Sequence, residues 1–112
     1  GSLVLLKDVQ LFEASRVFAE RIIAESEKDL DSQIEYGFRL ATSRFPKESE
    51  LSLMKELYES QLNYYKRNKN AAFKVLTVGD SKYNSSGGLD KTAAMTIVAN
   101  TLLNLNESYY KY

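Results

Sequence analysis

The chain has 112 residues, of which 44% are hydrophobic, so it is long and apolar enough for one packed domain. Its 15 basic residues balance its 15 acidic ones, which argues against nucleic acid or an anionic membrane as a partner. The lack of histidine and cysteine excludes the usual zinc sites, Cys-x-x-Cys-His haem attachment and nucleophiles that rely on a histidine base. No apolar run reaches the roughly 18 residues needed to span a membrane.

Apolar residues recur at helical spacing in five segments, separated by polar or glycine-rich breaks. The scarcity of proline and glycine, with one and five copies, also favours long helices. We therefore predict an all-α, compact bundle of five helices, four long and one short. In chain order the predicted helices are Val9–Glu27, Leu30–Arg44, Glu48–Lys66, Ala71–Val78 and Lys91–Tyr109.

The ends of these helices are predicted from capping residues. Asp8 is the expected N-cap of the first helix, Asp29 or Asp31 begins the second, and Asp90 is the expected N-cap of the last. Pro46 disfavours helical geometry at the residue before it and stops the second helix. Gly79 ends the fourth helix, and residues 80–88 form a flexible Ser/Gly loop.

Two further expectations concern packing. On the first helix the polar face is predicted to carry Glu13, Arg16, Glu20 and Glu25. Gly37, inside the second helix, costs about 1 kcal/mol relative to alanine and indicates a close approach by a neighbouring helix. The last helix is apolar on most sides, around Ala94, Val98 and their neighbours, so we expect it to be central.

Seven blocks of sequence, taken in order, point to a family. They are Leu3–Asp8, Phe12–Arg16, Ala19–Arg21, Phe38–Pro46, Glu50–Leu51, Leu76–Ser81 and Ala99–Glu107. In this order they resemble the C-terminal domain of unknown function of planctomycete-type exported proteins that are associated with cytochrome-c-like modules. The resemblance extends over nearly the whole chain after residue 2, although this chain is richer in tyrosine and lysine, which indicates a different bacterial lineage.

The resemblance implies a context and supplies no catalytic residues. Gly1 and Ser2 are interpreted as a cloning remnant, and residues 3–112 as one helical domain excised from the C-terminal end of a longer protein. That parent would be periplasmic or otherwise extracytoplasmic. The expected partners are its upstream domains, and no cofactor, metal, nucleic acid or membrane insertion is expected.

Several groups of polar residues resemble chemical sites, and each has a structural interpretation. The acids Glu48, Glu50, Glu56 and Glu59 are interpreted as helix-dipole partners and surface. Asp80, Asn84 and Asp90 do not match a calcium loop, and residues 85–88 lack the Walker pattern of a phosphate cradle. We therefore expect no catalytic activity from the chain's own residues.

The candidate interaction residues fall in two groups. Tyr64, Tyr65, Lys66 and Arg67 interleave aromatic and cationic side chains, an arrangement that suits a contact patch, although Tyr65 also fits the core stripe. The second group lies near the C-terminus, where a polar or aromatic side chain can tie the last helix to a turn or to an upstream domain. Its members are Asn104, Asn106, Tyr109 and Tyr110.

The leading functional hypothesis is a non-catalytic helical accessory or interaction domain of a large exported bacterial protein. It predicts an exposed apolar patch larger than the roughly few hundred Å² that is ordinary for a monomer. One alternative is a contribution to an active site shared with an upstream domain, which predicts a pocket lined by acids of raised pKa. The other is a free-standing glycan- or peptide-binding module, which predicts several exposed tyrosine rings in a row.

Overall fold

A computed structural model describes residues 9–77 and 88–110, with side chains described for 12–77 and 88–105. Within those ranges the chain is all-α, as predicted. Five helices are present, four long and one short, and they occur in the predicted order. They are α1 (Val9–Glu25), α2 (Leu30–Thr42), α3 (Glu48–Arg67), α4 (Lys69–Leu76) and α5 (Leu89–Tyr110).

The first two helices end earlier than predicted because a serine closes the last turn of each. At the end of α1, the Ser26 amide and hydroxyl both donate to the Ile22 carbonyl oxygen, at 3.1 and 2.6 Å. At the end of α2, Ser43 has a left-handed φ of 63° and donates its N–H to the Arg39 carbonyl. Each helix therefore stops two residues before its predicted end.

The predicted starts of α2 and α3 are confirmed, whereas α4 and α5 each begin two residues before the predicted start. Asp29 caps α2, since its carboxylate accepts a hydrogen bond from the Ser32 amide at 3.0 Å. Asp90 is not the residue before α5, because the helix begins at Leu89 and places Asp90 inside its first turn. The predicted cap Asp8, the end of the fourth helix at Gly79 and most of the Ser/Gly loop lie outside the described residues.

The last helix is central, as its apolar composition predicts. α5 contacts all four other helices, and most of its described side chains are buried. The core around it combines these side chains with the inner faces of α1 to α4. Besides residues of α5, the core contains Ala19, Ile22, Ile34, Phe38, Ala41, Met54, Tyr58, Tyr65, Ala72 and Leu76.

Gly37 marks a close approach between helices, again as predicted. A Cβ atom at this position would lie 2.6 Å from Ile22 Cδ1 on α1 and 3.3 Å from Leu102 Cδ1 on α5. Ile22 and Leu102 are fully buried, so they have little room to move aside. The missing side chain therefore allows α2 to pack against α1 and α5 together.

Candidate functional site

The outer face of α3 leaves large apolar side chains in solvent. Leu53, Leu57 and Tyr64 are spaced by four and seven residues, so they share one stripe of the helix. Leu53 is 60% exposed and Tyr64 is 50% exposed, while Leu57 is partly buried against the core. A different stripe of the same helix, which includes Met54 and Tyr58, supplies the buried contacts.

A groove of about 420 Å³ lies at the C-terminal end of this face, and we name it the Tyr64 groove. It is lined by Ser60, Asn63, Tyr64, Arg67 and Asn68. Asn68 lies between α3 and α4 with non-helical backbone angles, and its side-chain amide donates to the Tyr64 carbonyl oxygen at 2.9 Å. This hydrogen bond ties the break between the two helices to the residue that carries the exposed ring.

The four predicted contact residues of α3 do not form one surface. Tyr64 and Arg67 lie together in the groove, and Lys66 is exposed in the same last turn. Tyr65 is only 5% exposed and belongs to the core, where burial raises its pKa. Its ring meets that of Tyr64 edge to face, with centroids 5.2 Å apart. The pair thus connects the groove to the core.

The C-terminal candidates are described only in part. The Asn104 side-chain amide donates to Asn100 Oδ1 at 3.1 Å, and Asn100 donates in turn to Ser15 Oγ on α1 at 3.0 Å. Asn104 therefore belongs to a buried polar chain that joins α5 to α1. Asn106, Tyr109 and Tyr110 lie within the α5 backbone, but their side chains are outside the described residues.

The prediction that Arg16 lies on the polar, solvent-facing side of α1 is wrong. Its side chain is fully buried, and its guanidinium bonds Glu20 Oε2 at 2.8 Å. A buried cation needs such charge-assisted partners, because its desolvation is costly. Helical spacing did contain the signal, since Arg16 lies on one stripe with Ala19 and Ile23.

A second concavity, which the sequence did not indicate, lies where α5 meets the connection between α1 and α2. This cleft has a volume of about 450 Å³, and we name it the lysine cleft. Its polar lining consists of Lys28, Gln33, Tyr58 and Lys91, from four separate parts of the chain. Its apolar lining consists of Ile23, Leu30 and Met95.

Among the described residues, the carboxyl groups of Glu25, Asp29 and Glu50 have pKa values below their ordinary range, because each accepts hydrogen bonds as an anion. For Glu50 the Arg44 guanidinium and the Lys47 amide hold the pKa at about 2. For Glu25 the cause is hydrogen bonding from Tyr36 and Arg21, and for Asp29 it is bonding from Ser32. These shifts stabilise the charged form and belong to caps and ion pairs.

Comparison with known proteins does not add an identity: no model of a protein family, no curated protein and no solved structure matches the chain. Over residues 9–77 and 88–110, no helix combines the length and the apolar character needed to cross a membrane. In the same ranges, no group of three or more His, Cys, Asp or Glu side chains is placed to hold a metal ion.

Proposed function

We propose that this chain is a non-catalytic helical interaction domain that packs against the upstream part of a larger exported protein. The outer face of α3, from Leu53 to the Tyr64 groove, is the contact surface. The resemblance of the chain to a C-terminal domain supplies the context and the expected partner. The observation that carries the proposal is the exposure of Leu53 and Tyr64 on one stripe of a helix whose other stripe is buried.

The composition of this face suits a protein contact. Burying a leucine or an aromatic side chain contributes about 1.5–3 kcal/mol, and tyrosine and arginine are frequent centres of binding energy. Here Tyr64 and Arg67 line one groove and Leu53 lies about three turns away along the helix. Since the Tyr64 ring contacts the buried Tyr65 ring, it is held in place before a partner binds.

The two alternative functions have less support. A shared active site would call for acids of raised pKa beside a pocket, whereas the acids Glu25, Asp29 and Glu50 are held in their charged form. A row of tyrosines for glycan binding is also less favoured, because Tyr58 and Tyr65 are buried in the core.

The test is co-elution of the chain with the separately expressed upstream part of its parent protein by size exclusion. We expect a complex with the natural chain, and weaker co-elution with Leu53→Asn and Tyr64→Ser. Leu40→Asn is the matched control, since Leu40 is 41% exposed on α2, away from the proposed contact face. A complex that survives both α3 substitutions, or no complex with the natural chain, contradicts the proposal.

A further inference from the structure

We propose that the lysine cleft binds a small amphipathic anion, with its charged head at Lys28 and Lys91 and its apolar body against Ile23, Leu30 and Met95. This inference concerns a different surface from the α3 contact face. It does not depend on the proposed function or on any parent protein.

The polar groups of the cleft are unoccupied by internal partners. The side chains of Lys28, Gln33, Tyr58 and Lys91 make no hydrogen bond or ion pair with any residue that the structure describes. Lys55, by contrast, is paired, since its Nζ lies 2.9 Å from Asp31 Oδ1. The cleft therefore presents two ammonium groups, an amide and a phenol that remain available to a ligand.

The charge of the lining selects for an anion. No carboxylate is among the described residues that line the cleft, and two of its four polar side chains are cations. Burial and the nearby negative charge of Asp90 raise the pKa of Tyr58, so its hydroxyl stays protonated and can donate a hydrogen bond. The charged head is expected beside Lys28 and Lys91, because they are the cations of the lining.

The remaining lining selects for an apolar body attached to that head. Met95 is fully buried, and Ile23 and Leu30 are partly buried against the core, so they form an apolar wall. The volume of about 450 Å³ falls within the range of roughly 300–1,000 Å³ that is common for small-molecule sites. Ligand sites of that kind combine apolar walls with a few polar groups that fix orientation. A carboxylate, sulfonate or phosphate on an aromatic or short aliphatic body fits this description.

The test adds three probes, one at a time, to the chain itself. Binding is measured by the change in amide chemical shifts in ¹H–¹⁵N spectra. Phenylbutyrate carries both a charged head and an apolar body, phenylbutyramide keeps the body without the charge, and acetate keeps the charge without the body. We expect saturable shifts at residues 23–33 and 91–95 with phenylbutyrate, and much weaker binding of the other two. Equal binding of phenylbutyrate and phenylbutyramide, or shifts located elsewhere, would overturn the proposal.

Lysine variants provide the second arm. Lys28→Gln and Lys91→Gln are each expected to weaken phenylbutyrate binding by about threefold to fivefold, as for exposed ion pairs. Lys74→Gln is the matched control, because Lys74 is exposed on α4 and does not line the cleft. The three positions are on the surface, so the variants should fold like the natural chain. Binding that is unchanged in both cleft variants, or weakened equally by Lys74→Gln, would refute the assignment of the head to the lysines.

Discussion

Gly37 gives the sharpest test of how the helices pack, because a single methyl group there meets two other helices. Gly37→Ala would place a Cβ 2.6 Å from Ile22 Cδ1 and 3.3 Å from Leu102 Cδ1. Cβ atoms do not approach a carbon atom as closely as 2.6 Å, so Ile22 has to move. The physical question is whether this movement costs more than the helix gains from alanine.

The two effects have opposite signs and similar sizes. Replacing glycine by alanine within a helix gains about 1 kcal/mol, and overpacking a dense core costs about 1–3 kcal/mol. Since Ile22 and Leu102 are fully buried, we expect the cost to exceed the gain, with a net loss of about 1 kcal/mol. Ile22→Val removes the atom that Cβ meets and costs about 1 kcal/mol by itself. In that background, Gly37→Ala should become neutral or stabilising.

The assay is urea unfolding of the natural chain, the two single variants and the double variant. We expect a favourable coupling of about 1–2 kcal/mol between Gly37→Ala and Ile22→Val, since the second change removes the clash caused by the first. The matched control cycle replaces Gly37→Ala with Glu35→Ala, at an exposed position of the same helix, and should be additive. Additivity within about 0.5 kcal/mol in the Gly37 cycle would refute the packing argument.

Three further predictions concern polar groups, and each is checked by urea unfolding. Thr92→Val should raise the free energy of unfolding by about 1 kcal/mol, because the buried Thr92 hydroxyl has no hydrogen-bond partner among the described residues. Thr96→Val should lower the free energy of unfolding, because the Thr96 hydroxyl then loses its 2.7 Å hydrogen bond to the Thr92 carbonyl. Glu50→Gln should lower the free energy of unfolding by about 1 kcal/mol at pH 7, a larger loss than Glu48→Gln causes. Folding lowers the pKa of Glu50 from 4.5 to about 2, so its carboxylate stabilises the fold fully above pH 4.5. The difference in unfolding free energy between the natural chain and Glu50→Gln should therefore shrink as pH falls from 4.5 toward 2. Asn100→Ala should lower the free energy of unfolding by about 2 kcal/mol. It removes the hydrogen bond from Asn100 to Ser15 on α1 and the one that Asn100 accepts from Asn104. The argument for Asn100 would be contradicted if Asn100→Ala stabilised the chain, and the argument for Thr92 if Thr92→Val destabilised it. An effect of Glu50→Gln that does not change with pH would contradict the argument for Glu50.

The architecture was predictable because it depends on patterns that extend over many residues. A helix that is apolar on most sides has to be surrounded, and α5 contacts every other helix. The close approach at Gly37 was predictable for a similar reason, since a helix tolerates an internal glycine chiefly where packing needs the space. Helix ends depend on single residues instead. The hydrogen bonds of Ser26 and the left-handed Ser43 each moved an end by two residues.

The lysine cleft was less predictable, because its residues come from distant parts of the chain. Lys28, Tyr58 and Lys91 are more than 25 residues apart, and their meeting depends on how four elements pack. Arg16 is a different case, because its polarity suggested the surface while its helical spacing placed it on the buried stripe. For Tyr65, helical spacing predicted a place on the core stripe, and the structure confirms it, while the adjacent Tyr64 is half exposed.

Amide hydrogen exchange of the chain, alone and mixed with the upstream part of its parent protein, tests the central claim most directly. Our account predicts slower exchange in residues 53–68 on mixing, with α1 unchanged, because the partner covers the outer face of α3 and the Tyr64 groove. Unchanged exchange throughout the chain, or slowing limited to α1 and α2, would contradict the assignment of this face as the contact surface.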